Sequence, residues 1–406
     1  MNNVDLTYPI SKLDPLDLSK AIEVLDDHLG IAYARDPFYI DAFSFEIELT
    51  TTDLQTQQPK INKKASIFEL YDFIELGNMI DPKDKSKRIR RKGIVTSIND
   101  SRLEDGRNIR TVKGSGLGFI LMGTPIEPPN NLGNYISPQR EYISQQLSVI
   151  FKDLVDTNRI QNTYDSDMNI PGLTLKSTAE LGPVLTEQFR FQDLITELKR
   201  MSVNNGFGWQ IEYTTGTSFE FSVFEGVDRT AIQAVNTRAI FSIELENVKE
   251  LTRDQDIAQF RQVAKVAGQG EGIAREIIDV SISSTVGWKL KKVFIDARDI
   301  DLGDTSGLNN RGTERLKDYS EIDVVNVGGF ISRDNLVYLR DFDLLDKITV
   351  EDSILDISID LQITKAIENY LPNQEFKVEF RFGKNQNNLA EAINQKLKNT
   401  SNEVLR

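Results

Sequence analysis

The strongest candidate for chemistry in the sequence is a glycine-rich run, Gly268-Gln269-Gly270-Glu271-Gly272, within VAGQGEGIAREIIDVSI (266–282). Successive backbone N–H groups in such a run can point at one anion, so it could hold a phosphate. A Walker loop, however, ends in Gly-Lys-Ser/Thr, and Glu271 would repel an anion. A dinucleotide fingerprint requires a helix after the glycines, whereas IIDVSI is typical of a strand. We therefore predict a structural turn in which the glycines supply positive φ or a close backbone approach.

Acidic side chains offer a second kind of chemistry, in which one carboxyl group donates a proton while another accepts one. Asp296 with Asp299, and Asp356 with Asp360, are candidate pairs. The chain carries 62 Asp and Glu residues among 406, so such pairs arise by chance. Alternation in ILDISIDLQIT (354–364) also predicts that Asp356 and Asp360 lie on the solvated or interface face of a strand. We therefore assign no catalytic residue.

Residue types required by several other chemistries are missing. The sequence has no cysteine and one histidine, His28, in the acidic context LDDHLG. This excludes thiolate nucleophiles, disulfides, structural zinc and Ser-His triads unless His28 itself is used, and we interpret His28 as a surface residue. Trp209 and Trp288 adjoin predicted strands, which favours core or interface packing over sugar stacking. We predict neither an enzyme nor a protein that binds a cofactor or a metal.

The net charge of −14 argues against nucleic-acid binding, because phosphate contacts require clustered Lys and Arg. One basic run, KDKSKRIRRKG (83–93), is predicted to be a solvated loop or a patch that meets an acidic neighbour. No apolar run approaches the roughly 20 residues that span a bilayer. The N-terminus lacks the basic and apolar regions of a signal peptide. We expect no membrane anchor and assembly in a cytoplasm.

Alternating apolar residues predict antiparallel strands near both ends of the chain. The clearest segments are AFSFEIELTTTD (42–53), the hairpin 93–116 with a turn ending in Asp105-Gly106, the hairpin 208–228, ILDISIDLQIT (354–364) with Leu355 through Ile363 on its apolar face, and FKVEFRFG (376–383). Helical spacing predicts helices within 16–30, 141–160, 189–203, 304–318 and 387–399. The segment 67–77 is amphipathic, and its type stays open.

These elements predict an α+β protein that is mostly β. Two small antiparallel β-barrel or sandwich modules near the chain ends flank a mixed α/β middle region. The predicted division is an N-terminal extension (1–35), a first β module (36–125), a helical, loop-rich connection (126–205), an α+β middle domain (206–345), a second β module with a closing helix (346–395) and a C-terminal tail (396–406).

Three stretches, in this order and spacing, resemble the family of siphophage tail-tip or baseplate hub proteins. The first stretch, residues 224–252, carries Asp228-Arg229-Thr230 and then a Phe-Ser strand. The second, residues 260–280, carries a strand, the turn with Gly268, Gly270 and Gly272, and then Arg275. The third, residues 288–300, ends in Phe-Ile-Asp-Ala-Arg-Asp, which includes Asp296, Arg298 and Asp299. The resemblance covers roughly residues 35–395. Its layout is similar to that of Tal-type hubs and of the myophage baseplate hub.

The resemblance implies a structural virion protein without a lytic domain. It implies a homotrimeric ring at the distal end of a tail tube, in which three subunits with two β modules each match a hexameric tube. The implied partners are the distal tail protein, tail-tube proteins, the tape-measure protein and receptor-binding or fibre proteins. Phage DNA would pass through the lumen without specific binding, since acidic side chains there would repel phosphate. The implied location is the virion tail tip, after assembly in the bacterial host cytoplasm.

Two other function classes stay open from the residues. The first is a tail-associated enzyme, either a carboxylate-based glycosidase or a peptidoglycan-cleaving domain within 126–345. The second is a carbohydrate-binding module that uses Trp209, Trp288 and the tyrosines. Rings or trimers in solution would favour the hub over both.

Overall fold

The computed structural model describes residues 8–52, 59–104, 106–131, 134–330, 336–372, 374 and 376–383. Apart from a short 3₁₀ helix (Lys63–Ser66), the first part of the chain is built of strands. They are β1 (Ile10–Asp14), β2 (Asp17–Leu25), β3 (Gly30–Arg35), β4 (Ala42–Glu48), β5 (Thr50–Thr52), β6 (Pro59–Ile61), β7 (Phe73–Ile80), β8 (Arg88–Arg102) and β9 (Asn108–Gly116). Segment 67–77, whose type the sequence leaves open, thus leads into the strand β7.

The helix predicted within 16–30 is wrong, because that segment forms β2. Its apolar residues have helical spacing, but β2 pairs with β1 in an antiparallel ladder that places Leu25 opposite Ile10. Tertiary pairing here overrides local propensity. Residues 10–35 are accordingly three strands of the main sheet rather than an extension outside it.

The strand β4 and the hairpin β8–β9 confirm the predictions for this part of the chain. Phe43, Phe45 and Ile47 of β4 are all buried, as the alternation requires. β8 and β9 pair from Gly93 with Gly116 to Arg102 with Asn108. Gly106 adopts a φ of 88° in the turn, where glycine has no steric penalty. Asp105 lies outside the described residues.

The next part contains two α-helices, and each begins later than the periodicity predicts. A π-helical turn (Asp156–Ile160) continues the first helix to the end of the predicted segment. The elements are β10 (Asn130–Asn131), β11 (Asn134–Tyr135), β12 (Arg140–Gln146), α1 (Leu147–Val155), β13 (Leu173–Leu175), β14 (Val184–Phe189) and α2 (Leu194–Asn205). β12 and β14 pair with each other, so the residues that precede each helix form strands rather than helical turns. Asp193 caps α2 by accepting a hydrogen bond from the Thr196 N–H at 2.9 Å, and Gly206 ends it with a φ of 73°.

The middle of the chain adds a hairpin, two single strands that pair with strands later in the chain, and a small α/β lobe. The elements are β15 (Gly208–Tyr213), β16 (Phe219–Phe224), β17 (Ile240–Ser242), β18 (Glu250–Asp256), β19 (Val263–Ala267), β20 (Ile277–Ser281), β21 (Lys292–Asp296) and α3 (Thr305–Leu316). β15–β16 confirms the predicted hairpin, and α3 confirms the helix within 304–318. The lobe consists of the sheet β20-β19-β21 and α3, and it has its own hydrophobic core.

The last part returns to strands: β22 (Ile322–Phe330), β23 (Lys347–Asp352), β24 (Ile357–Tyr370) and β25 (Lys377–Gly383). β24 and β25 confirm two predicted strands, with Val378, Phe380 and Phe382 buried on β25. Leu355 is half-exposed and precedes β24, and Asp356 has a φ of 50° in the same turn, so neither belongs to the predicted strand face. The predicted closing helix (387–399) and tail (396–406) lie outside the described residues.

The strands from the two chain ends form one 13-stranded sheet. Its main path runs β18-β22-β25-β24-β3-β4-β9-β8-β7-β1-β2, and β17 and β23 attach beside β24. The junction is the antiparallel pair β24–β3, from Ala366 with Arg35 to Tyr370 with Ile31. The protein is therefore mostly β with few helices, and its described strands form no closed barrel. Among the described helices none has the length and apolar composition needed to cross a bilayer.

Candidate functional site

One outermost strand of the main sheet presents an exposed edge. Within the described strands, β2 pairs with β1 alone. Residues 19–24 of β2 are all exposed, and Ile22 presents 53% of its surface to solvent. Such an edge strand can pair through its backbone N–H and C=O groups with another chain. The β2 edge is the candidate assembly surface of the protein.

A buried ionic cluster holds the two halves of the sheet together. Glu368 on β24 is fully buried and accepts hydrogen bonds from Arg91 Nη2 on β8 at 2.6 Å, from the Tyr370 hydroxyl at 2.7 Å and from the Tyr338 hydroxyl at 3.0 Å. Arg35 on β3 donates to the Tyr338 hydroxyl at 2.7 Å. The members come from β3, β8, β24 and the segment of Tyr338, so the cluster fixes how β3, β8 and β24 lie relative to one another.

The electrostatics of this cluster favour its charged form. Burial acts to raise the pKa of Glu368, but the Arg91 guanidinium outweighs it and holds that pKa below its usual value. Burial also raises the pKa of Tyr338 and of Tyr370 well above the usual value, and the nearby Glu368 charge adds to this effect. Glu368 is therefore a carboxylate that accepts from neutral tyrosines and a charged arginine.

The basic run 83–93 meets acidic neighbours along β8. Arg90 Nη1 lies 2.9 Å from Glu75 Oε1, and Lys92 Nζ lies 2.7 Å from Glu75 Oε2. Arg91 pairs with Glu368 as above. The alternative that this run is a patch facing acidic residues is thus confirmed for residues 90–92.

The glycine-rich run forms the connection between β19 and β20. Gly270 has a φ of 114°, and a Cβ there would lie 2.8 Å from the Ala274 carbonyl oxygen. Gly272 has a φ of 55° and open space around it. The Gly268 carbonyl accepts a hydrogen bond from Arg275 Nε at 2.9 Å. The site of the predicted turn therefore lies between two antiparallel strands.

Arg275 joins this connection to the end of β21. Its guanidinium donates to the Ala267 carbonyl at 2.8 Å and forms an ion pair with Asp296. Arg298 Nε lies 3.6 Å from the same carboxylate, and Asp299 pairs with Arg311 of α3 at 2.8 Å. These four residues singled out by the sequence are brought together in the lobe, where they tie its strands and helix to each other.

Asp228, Arg229 and Thr230 lie elsewhere, beside the start of β23. Arg229 Nε donates to Asp346 Oδ2 at 2.6 Å, and the Arg229 N–H donates to the Lys347 carbonyl at 2.8 Å. The Thr230 N–H donates to Asp228 Oδ1 at 3.0 Å. The structure therefore does not bring this triplet together with the residues of the lobe.

A second buried ionic cluster connects the lobe to α2. Arg200 of α2 lies 2.9 Å from Glu187 on β14 and 2.8 Å from Glu197. Asn205 at the end of α2 donates to Glu314 of α3 at 3.1 Å. Burial acts to raise the pKa of Glu187, but Arg200 and then Arg315 outweigh it and lower that pKa. The lobe thus contacts α2 through ions and amides.

The remaining candidates divide into core and surface residues. Trp209 is buried and its indole N–H donates to the Phe38 carbonyl at 3.2 Å, which confirms core packing. Trp288 instead exposes 81% of its surface.

His28 is buried, so the prediction that it lies on the surface is wrong. Its Nε2 and the Tyr8 carbonyl oxygen form a hydrogen bond of 2.8 Å, and burial lowers the pKa of its imidazole. Asp360 accepts from the Thr349 hydroxyl at 2.6 Å. Within the described residues no group of three or more His, Cys, Asp or Glu is placed to hold a metal.

Sequence reasoning missed the open edge of β2 and both ionic clusters. A charged residue inside an apolar strand, as in ITKAIENYL around Glu368, is a local signal that the strand has a buried polar partner. Nothing in the sequence identifies Arg91 as that partner, because the contact depends on how distant strands pair.

Comparison with known proteins agrees with this architecture. The siphovirus ReqiPepy6 Gp37-like protein family matches residues 38–384. No curated protein matches the sequence.

Solved structures of phage tail proteins share the fold at low identity. The 43 kDa tail protein of prophage MuSo2 from Shewanella oneidensis has a TM-score of 0.56 and 13% identity, covering 93% of this chain and 98% of that chain. A tail protein from Neisseria meningitidis MC58 has a TM-score of 0.52 and 13% identity, covering 93% and 96%. Prophage tail protein gp18 from Listeria monocytogenes EGD-e has a TM-score of 0.50 and 10% identity, covering 97% and 98%.

The family match spans most of the chain and confirms the resemblance to a siphophage protein family, while the structural matches concern the fold alone. The chain therefore belongs to the siphovirus ReqiPepy6 Gp37-like family, and its fold is that of phage tail proteins.

Proposed function

We propose that the protein is a structural component of a phage tail tip or baseplate, without catalytic activity. Three copies form a hub ring that closes the hexameric tail tube, organises the attachment of other tip proteins and lets DNA pass. The observation that carries this proposal is the open edge of β2, whose residues 19–24 are all exposed at one end of the main sheet. The family match and the fold of the tail proteins support the same proposal.

The open edge of β2 suits a head-to-tail ring. If β2 of one subunit meets a different surface of the next subunit, a suitable rotation closes the ring. Closure satisfies the backbone groups of the β2 edge, which explains how residues 19–24 of β2 can stay exposed in a single subunit. Ile22 and Val24 would then contribute apolar area to the contact.

The two halves of the main sheet also account for how three subunits fit a hexameric tube. On one side of the β3–β24 pair lie β4, β9, β8, β7, β1 and β2, and on the other lie β25, β22 and β18. Each half is an antiparallel unit drawn mainly from one end of the chain. Three subunits with two such units present six positions to a hexameric tube.

The proposed partners follow from this placement. They are the distal tail protein, tail-tube proteins, the tape-measure protein and receptor-binding or fibre proteins, in a virion assembled in the host cytoplasm. The net charge of −14 suits a lumen through which DNA slides without binding, since like charges repel phosphate. The ring would take part in host cell attachment and DNA ejection in this way.

The decisive experiment is size-exclusion chromatography with light scattering, followed by electron microscopy of the purified protein. We expect trimers that appear as rings and that bind the cognate tail-tube hexamer. A protein that stays monomeric at high concentration and releases fragments from bacterial cell walls would overturn the proposal in favour of a tail-associated enzyme.

A further inference from the structure

The small α/β lobe is inserted into a hairpin of the main sheet. β18 ends at Asp256 and β22 begins at Ile322, and these two residues are opposite each other in the antiparallel ladder. Residues 257–321 therefore leave the main sheet and return to the same point. The Arg261 N–H donates to the Tyr319 carbonyl at 3.0 Å, so the two connecting segments lie side by side where they reach the lobe. A unit attached at one such point can turn about its connections without disturbing the sheet.

The lobe has a hydrophobic core that it does not share with the rest of the chain. Its buried apolar residues come from its strands, from α3 and from the segment between them: Ala264, Val266, Val280, Ile295, Ala297, Ile300, Leu308 and Leu316. The other three apolar clusters of the described residues contain no residue between 257 and 321. Burial of apolar surface therefore holds the lobe together without joining it to α2.

Polar side chains make the contact between the lobe and the end of α2. Asn205 Nδ2 donates to Glu314 Oε1 of α3 at 3.1 Å, and Lys317 Nζ donates to Asn205 Oδ1 at 2.6 Å. Asn204 Nδ2 donates to Asp318 Oδ1 at 2.6 Å. Lys317 and Asp318 belong to the turn that directly follows α3. These five residues are called the latch below. Contacts of this polar kind between units of one chain commonly permit relative motion, whereas large apolar ones do not.

The charged groups behind the latch are buried with incomplete hydrogen bonding. Arg200 Nη2 lies 2.9 Å from Glu187 Oε1, but neither carboxylate oxygen of Glu187 and neither terminal nitrogen of Arg200 has a hydrogen-bond partner among the described residues. Ion pairs of 4.0 Å join Arg200 to Glu314 and Arg315 to Glu187 across the contact. Attraction between buried charges offsets the cost of removing them from water only when hydrogen bonds complete the geometry. These charges therefore add little free energy to docking of the lobe.

A cavity of about 570 Å³ lies beside the latch. Phe260, Ser320 and Glu321 line it from the connecting segments, and residues 203–206 and Gln362 line it from α2 and β24. Protein interiors are otherwise closely packed, with few voids larger than a water molecule. The connecting segments thus face open space on the side of α2 and can change conformation there without displacing packed side chains.

We propose that the lobe and the turn after α3 swing as one rigid unit about residues 257–260 and 320–321, and that the latch holds this unit against α2 in one of two positions. In the released position the lobe keeps its own core, water solvates the latch side chains, and the end of α2 becomes accessible. The latch and both connecting segments lie within one subunit and outside the β2 edge, so the motion does not depend on the proposed ring.

The test measures the distance between the lobe and the rest of the chain in solution. The sequence has no cysteine, so two spin labels can be placed without other substitutions. Ile277→Cys labels the half-exposed face of β20 in the lobe, and Thr215→Cys labels the exposed turn between β15 and β16. Double electron–electron resonance then gives the distance distribution. We expect a main distance for the docked position and a minor, different one for the released position.

Asn204→Asp should shift this equilibrium toward release. The variant removes the donor to Asp318 and places a second carboxylate against it, while the shape of the side chain hardly changes. We expect the released population to rise roughly tenfold, the factor that loss of one hydrogen bond to a charged group provides. Asn310→Asp is the matched control, because it adds the same charge at an exposed position of α3 and should leave the distances unchanged.

Hydrogen exchange of the β19 amides reports whether the lobe stays folded, and we expect them to remain protected in every variant. If Asn204→Asp does not accumulate as folded protein, Lys317→Met carries the same test, since Lys317 is partly exposed and donates to Asn205 and Glu314. One narrow distance distribution shared by wild type and the latch variant would overturn the proposal. Loss of β19 protection in the latch variant would also overturn it, because the lobe would then unfold instead of turning as a unit.

Discussion

Glu368 and Arg91 are 277 positions apart in the chain, yet Arg91 Nη2 donates to Glu368 Oε1 at 2.6 Å and Arg91 Nε donates to Glu368 Oε2 at 3.1 Å. Glu368 lies on β24 and Arg91 on β8, so this two-bond contact joins the strands from the two ends of the chain. The open edge of β2 belongs to one of the two halves that this pair holds together. The assembly surface therefore depends on a contact outside that edge.

Removing one member of this pair should destabilise the protein strongly. Glu368→Gln leaves the Arg91 guanidinium buried without its counter-charge, which costs roughly 3–5 kcal/mol of the free energy of unfolding. Urea denaturation measures the loss. Asp100→Asn is the matched control, because Asp100 pairs with Arg110 at the surface and such pairs contribute about 0–1 kcal/mol. Equal losses in the two variants would contradict the importance of burial.

Stability should also fall in acid because of Glu368. Its pKa in the folded protein lies below the ordinary value of 4.5, so the unfolded chain binds the proton first as the pH falls. Its contribution is thus fully present above pH 4.5 and is lost as the pH drops through the folded pKa. The difference in unfolding free energy between wild type and Glu368→Gln should shrink from pH 7 toward pH 3. Parallel pH curves for the two proteins would contradict this sign.

The glycine run should respond to substitution as a turn. Gly270→Val forces a side chain into a φ of 114° and against the Ala274 carbonyl, so we expect a loss of roughly 1–3 kcal/mol in unfolding free energy. Gly272→Asn should stay within about 0.5 kcal/mol, because asparagine tolerates the left-handed region and the space is open. Thermal denaturation compares the two. If Gly270→Val melts like wild type but loses a nucleotide-dependent activity, the phosphate-binding alternative is correct.

The proposed ring predicts that a charge on the β2 edge prevents assembly. Ile22→Lys places a lysine on an exposed edge strand, a substitution that blocks edge pairing while leaving the folded subunit intact. Light scattering should show monomers, with an unchanged circular dichroism spectrum. Ile61→Lys serves as control, since Ile61 is 76% exposed but lies on β6, outside the main sheet. Trimers of Ile22→Lys would place the contact elsewhere.

Strands with clear alternation could be predicted because the signal is local. β4 and β25 each bury an apolar residue at every second position, and that pattern is visible within a few residues. Local patterns gave a wrong prediction for β2, which has helical apolar spacing but forms a strand. They also gave a wrong prediction for His28, because its acidic sequence neighbours suggest a surface position although it contacts Tyr8. Both errors concern residues whose environment comes from a distant segment.

The sequence by itself determined the class of the protein, the positions of the clearest strands and the family resemblance. Only the tertiary structure decided that β3 pairs with β24, that Arg91 reaches Glu368, and that Asn205 of α2 contacts Glu314 of α3. The physical reason is that periodicity records which face of a strand is buried, whereas the free energy of strand pairing depends on partners hundreds of residues away. Many pairings satisfy the same pattern, and packing of the whole chain selects one.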